Sequence, residues 1–178
     1  YYIVAGLVFI TASELYLRAE FGSDYLYDAP VSLLHMLTAS TAKAKGEQVV
    51  VLSQVLVADV NLGYEGVDNS MVKAVNGVPV TSLRQLAELA EGCEAPHLRL
   101  NLRGSELVVI DMAEARASIR EILQTHNIPA AMSSDLLRDV KGIDPAGPVI
   151  DVPATASGEG SVGVAPSVDD FIEEVPSL

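Results

Sequence analysis

Tyr1-Tyr2-Ile3-Val4-Ala5-Gly6-Leu7-Val8-Phe9-Ile10 opens the chain as an apolar, β-branched run broken by one glycine. Residues of this type favour a strand, and Gly6 lets the backbone bend or come close to another chain within it. The run therefore predicts a strand edge with a glycine loop, an arrangement suited to receiving an extended peptide. No initiator methionine precedes Tyr1, so we expect the sequence to begin inside a longer polypeptide.

Working outward, 178 residues with 49% apolar content suffice for one substantial core, or one core and a tail. The net charge of −13 argues against a nucleic-acid or anionic-membrane partner, since neutralising phosphates requires clustered Lys and Arg, and only eleven are present, scattered along the chain. The longest apolar run covers about a dozen residues, short of the ~20 that a membrane-spanning helix requires. Cys93 stands alone, which excludes an internal disulfide framework and a cysteine-based metal site.

Local signals then order the elements. Asp28-Ala29-Pro30 predicts a helix over about 30–44, stopped by Gly46. Val49 to Val57 is too β-branched and too continuous for a solvent-facing helix and reads as a buried strand. A strand from about Met71 meets Asn76-Gly77, the strongest turn signal in the chain, because this pair accepts positive φ. Ser82 with Gln85 forms a capping-box pattern, and Leu83, Leu86, Ala87 and Ala90 share the face of a helix that Gly92 ends. Leu98, Leu100 and Leu102 alternate with polar residues and return through Gly104-Ser105 into Leu107–Ile110 as a hairpin. Asp111 and Glu114 predict the start of another helix, with Ala115, Ile119, Ile122 and Leu123 on one face, ending near Asn127. From about Lys141 the chain turns to Pro, Gly, Ala and Ser with seven acids and no base, a composition expected of a disordered tail. Within it, Val168 to Val175 mixes acids with apolar residues, a pattern that can dock on a partner, against the plainer expectation of a solvated tail.

As a set, Tyr2-Ile3-Val4-Ala5-Gly6-Leu7-Val8-Phe9, Gly46 to Leu56, Asn61-Leu62-Gly63-Tyr64-Glu65, Lys73 to Val80 and Asn127-Ile128-Pro129 resemble the second PDZ domain and C-terminal extension of plant and algal Deg (HtrA-like) serine proteases. The resemblance covers roughly residues 1–140. It implies a mainly β fold with helices, a PDZ-like, partly open barrel or sandwich. Residues 1–112 would form the PDZ-like domain, with a helical insertion at about 11–46. Residues 113–140 would form a C-terminal helical extension, and 141–178 the acidic tail. Gly6, Leu7, Val8 and Phe9 would be the carboxylate-binding segment, their amides surrounding a peptide C-terminus added to the sheet, and Leu83 and Leu86 would join Phe9 in the pocket for its last side chain. The plain alternative makes Leu7, Phe9, Leu83 and Leu86 core residues. Val8 departs from the family pattern, which places a second glycine there, and a β-branched residue resists positive φ.

The resemblance implies a peptide-binding and assembly module of a serine endopeptidase engaged in protein quality control. Its partners would be protein substrates, or the extended or C-terminal peptides of sister subunits, in a homo-oligomer. The chloroplast is the favoured compartment, with the nucleus or another organelle as alternatives. The competing expectations are an oligomerisation scaffold whose groove is closed by its own chain, and a non-proteolytic PDZ adaptor. No cofactor is expected. The family's catalytic string Gly-Asn-Ser-Gly-Gly does not occur, and His35, His97 and His126 are isolated, so no catalytic residue is assigned. No metal site is expected either. Gly158-Glu159-Gly160-Ser161-Val162-Gly163 satisfies a dinucleotide pattern, yet no strand precedes it and Pro166 blocks the helix that the pattern requires.

Overall fold

The computed structural model describes residues 1–38, 42 and 44–139. The expected acidic tail, 141–178, lies outside the described residues, as does part of the predicted helix beyond Thr38.

The opening run does not form one bent strand. It folds back on itself as a hairpin of β1 (Tyr2–Val4) and β2 (Leu7–Thr11), with Val4 opposite Leu7 and Tyr2 opposite Phe9. The reason lies in the two residues between them. Ala5 and Gly6 both have positive φ, 51° and 78°, the geometry that lets a two-residue turn match the twist of its flanking strands. The sequence reading credited only the glycine with this freedom, and an alanine there gave no signal.

Three short helices follow, α1 (Glu14–Phe21), α2 (Tyr25–Asp28) and α3 (Val31–Thr38), within the helical insertion that the resemblance implies, although local signals marked only the last. Ser13 starts α1 by accepting a hydrogen bond from the Tyr16 amide. These helices bury Leu17, Tyr25 and Leu33 against Val51 of β3 (Val50–Val55) and Met71 of β4 (Ser70–Val75). On the other face of β3, Val50 and Leu52 enter the main core. Covering on both faces explains why the β3 sequence is continuously apolar instead of alternating.

The later strands are β5 (Val78–Pro79), β6 (His97–Leu102) and β7 (Leu107–Asp111). Among the described residues, seven antiparallel strands form one open sheet in the order β1-β2-β3-β4-β6-β7, with β5 beside β4. The sheet is not closed into a barrel, in keeping with the partly open fold expected above. Ser70 and Met71 of β4 pair with β3, while Val72 to Val75 pair with β6, so this strand carries the sheet from one half to the other. β6 alternates exposed and buried residues along its length and pairs with β7, as the period-two pattern predicts.

Helix α4 (Leu83–Glu91) lies over β1, β2 and β4 and buries Leu83, Leu86, Ala87 and Ala90. Ser82 caps it, and Gln85 reaches back to the amide and hydroxyl of Thr81. Asp111 caps α5 (Met112–Thr125) by accepting from the amides of Ala113 and Glu114, and those bonds hold its carboxyl below the usual range. A last helix, α6 (Ser134–Asp139), follows a segment that returns to β1.

Candidate functional site

The geometry around β2 decides what the sheet can receive. Leu7 and Phe9 are wholly buried and share one core cluster with Leu83 and Leu86 of α4. Val8 points to the opposite face, half-buried near Ile3, Leu56 and Leu123. Four of the six residues assigned from sequence thus meet in one cluster, and Gly6 and Val8 stand outside it. The sequence reading places the amides of Leu7, Val8 and Phe9 around an incoming carboxylate. The structure seats them in a strand with a neighbour on each edge, β1 on one side and β3 on the other.

The place beside β2 and under α4 is taken by the chain's own Tyr2. Its side chain is wholly buried, its ring stacks on Phe9 with centroids 6.3 Å apart, and its hydroxyl donates to Glu91 Oε1 at 2.8 Å near the end of α4. Burial first, and then the adjacent Glu91 carboxylate, push the Tyr2 phenol well above its ordinary pKa. β1 itself is covered on its far edge. The Ile3 amide donates to the Ala131 carbonyl at 2.6 Å and the Ser133 amide to the Tyr1 carbonyl at 2.9 Å, with a bridge between Tyr2 and Met132.

Two residues in the loop after β3 secure the arrangement. Asn61 is completely buried, and its Nδ2 donates to the carbonyls of Ala5 at 2.7 Å and Leu56 at 2.8 Å, while its Oδ1 accepts from the Ala58 amide at 3.0 Å. It clamps the β1–β2 turn from below. A Cβ on Gly6 would overlap both the Leu56 carbonyl oxygen and Asn61 Nδ2, so glycine is required here by close approach as well as by φ. Three residues on, the Tyr64 hydroxyl accepts from the Val109 amide at 3.1 Å and donates to the Val109 carbonyl at 3.3 Å. This gives the outer edge of β7 a side-chain substitute for a missing strand. Sequence reasoning assigned neither Asn61 nor Tyr64 a role. Their one signal is their presence in the Asn61-to-Glu65 string that carried part of the resemblance.

His35, His97 and His126 lie on α3, at the start of β6 and after α5. Among the described residues no three His, Cys, Asp or Glu side chains gather where they could hold a metal ion. No helix among them is long and apolar enough to cross a membrane.

Comparison with known proteins agrees with this architecture. A family model described as PDZ domain matches residues 1–135. Among curated proteins, the chain is 35% identical over 137 residues to Protease Do-like 2, chloroplastic, of Arabidopsis thaliana, covering 77% of this chain and 22% of that protein. It is 34% identical over 136 residues to Putative protease Do-like 3, mitochondrial, covering 76% and 22%, and 34% identical over 135 residues to Protease Do-like 4, mitochondrial, covering 76% and 23%, both from the same plant. The chain therefore spans less than a quarter of the length of these relatives.

Proposed function

Since the chain belongs to the PDZ domain family, we propose that it is the non-catalytic interaction module of a Do-like serine endopeptidase, and that it works with its peptide groove occupied by its own first strand. PDZ domains take extended peptides by adding them to a sheet edge. The carrying observation is that β2 has strands on both edges and that β1, in turn, is bonded to Ala131 and Ser133. A module closed in this way holds subunits together through its outer surfaces, and proteolysis of damaged proteins belongs to other parts of such a protease.

Peptide capture is the second reading, favoured by one feature. β1 is only three residues long, a short segment for a competing C-terminus to displace. Gly6, Leu7, Val8 and Phe9 would then receive the incoming strand, and Leu83 and Leu86 its terminal side chain.

Titration with fluorescent peptides ending in an apolar residue, run beside sedimentation of the same samples, separates the two. The closed-groove reading expects no saturable binding by the parent chain together with self-association. A Ser133→Pro variant, which lacks the amide that bonds Tyr1, is expected to gain binding. Saturable binding by the unaltered, monomeric chain would establish capture instead.

A further inference from the structure

With the β1 and β7 edges taken, the described residues leave a concavity on the opposite side of β3. Past the Val51–Met71 pair, β3 and β4 diverge, because β4 turns to β6 through the irregularity between Val72 and Ala74. The gap is a cleft of about 390 Å³, walled by Met36 and Leu37 of α3, by Val49 and by Val80. Its size falls within the roughly 300–1,000 Å³ usual for ligand pockets. These apolar residues pack against the two core clusters on one side and are each only partly buried, so part of the wall's apolar surface faces the cleft, and Met36 adds an adaptable side chain.

Lys73 and Arg103 are among the lining residues, with one carboxylate, Glu47. Among the described residues, the ion pair formed is Arg18 with Glu14, far along the chain, and neither Lys73 nor Arg103 joins one. In a chain carrying 24 acids against 11 bases, two cations lining one cleft beside apolar surface are unusual.

We infer that this cleft binds the chain's own acidic, apolar segment Val168-Asp169-Asp170-Phe171-Ile172-Glu173-Glu174-Val175. The segment supplies what the cleft lacks. Phe171 and Ile172 sit between two acidic pairs, so the apolar side chains can enter against Met36, Leu37, Val49 and Val80 while the flanking carboxylates meet Lys73 and Arg103. The intervening stretch from 140 to 167 reaches on the order of 90 Å when extended, more than enough to span a domain of this size. A more open depression of about 520 Å³ beside β6 offers one arginine, Arg99, with His97 and a single large aliphatic side chain, Leu107. It is the poorer match in both charge and apolar surface.

The test uses the full chain with a spin label at Ser167→Cys, the native Cys93 being buried. Amide signals of Val49, Lys73 and Val80 are expected to lose most of their intensity at about 20 mM salt and to recover at about 500 mM, as screening of exposed charges requires. They are also expected to recover when Asp169, Asp170, Glu173 and Glu174 are replaced by Asn and Gln, and in the Lys73→Glu, Arg103→Glu double variant. The four tail substitutions leave the described fold untouched, so a folding failure of the double variant does not blunt the test. Broadening spread evenly over the surface, broadening centred on His97 and Arg99, or broadening seen only when spin-labelled and isotope-labelled chains are mixed would each overturn the proposal.

Discussion

At one end of the sheet β1 is sealed by main-chain hydrogen bonds to the Ala131 carbonyl and from the Ser133 amide, whereas at the other β7 is sealed by the hydroxyl of Tyr64. Exposed strand edges are ready templates for pairing, and proteins block them by covering, charge or proline. Here the first end uses a remote segment of backbone, tied to burial of Tyr2 and to the clamp of Asn61. The second uses one side-chain hydroxyl that can be removed while the ring stays packed against the core. The small strand β5 uses a third device, placing Pro79 where an amide would otherwise be offered. Closure of the β1 end is therefore part of folding, while closure of the β7 end is an addition to it. Asn61 and Tyr64, three residues apart in one loop, serve opposite ends.

The strongest way to break the first end is Gly6→Val. A β-branched residue at φ 78° is strained, and its Cβ meets the Leu56 carbonyl and Asn61. The expected loss is about 4 kcal/mol, read as a large fall in the urea midpoint, and a variant with parental stability would show that the turn is not held as described. Asn61→Ala comes next. It leaves the Ala5 and Leu56 carbonyls and the Ala58 amide without this partner in a buried site. About 3 kcal/mol is expected from those unmet groups, and a loss below about 1 kcal/mol would mean that water replaces the amide.

How much of this was legible in the sequence depends on the range of the signal. Asn76-Gly77, the Ser82–Gln85 cap of α4 and the alternation of Leu98, Leu100 and Leu102 are local, and each stands where it was expected. The fold class followed from their order. The hairpin at Ala5-Gly6 was not legible because an alanine rarely adopts positive φ, and what stabilises it, Asn61, is 56 positions away. Within the insertion expected at about 11–46, α1 and α2 had no local signal for a related reason. α1 and α2 are short, and they owe their place to Leu17 and Tyr25 packing on Val51 and Met71, contacts that no local pattern announces. Of the candidate site, the shared helix face of Leu83 and Leu86 was legible as apolar periodicity, and their meeting with Phe9 was implied by the resemblance. That their common space would hold Tyr2 was not.

Tyr2→Phe probes the β1 end through pH. The folded-state phenol is raised by burial and by Glu91, so above about 10, the ordinary tyrosine value, the unfolded chain releases a proton that the folded chain retains. Stability therefore falls as pH climbs beyond that point. Tyr16, half-buried and pushed up to about 12 by burial and by Glu20 and Asp68, adds a second contribution from the insertion. The variant is expected to lose about 1.5 kcal/mol at pH 7 with the hydrogen bond to Glu91, and to show a shallower alkaline decline, carried by Tyr16. An unchanged decline in melting temperature between pH 9 and 11 would place the titrating group elsewhere.

Tyr64→Phe is the mildest change and the most direct probe of the second end. The ring stays packed against the main core, and only the hydroxyl is removed, so the expected stability loss is about 1 kcal/mol. Its consequence should instead appear in association. The Val109 amide and carbonyl are released at the outer edge of β7, and Leu107 beside them is already about half exposed. An edge freed in this way can pair with the same edge of another molecule. Sedimentation at increasing concentration is expected to show self-association beyond that of the parent chain, with the added component suppressed by a second substitution, Leu107→Lys, on the same strand. If Tyr64→Phe sediments like the parent at every concentration, the β7 end is guarded by something other than this hydroxyl, and the contrast between the two ends of the sheet fails at its weaker term.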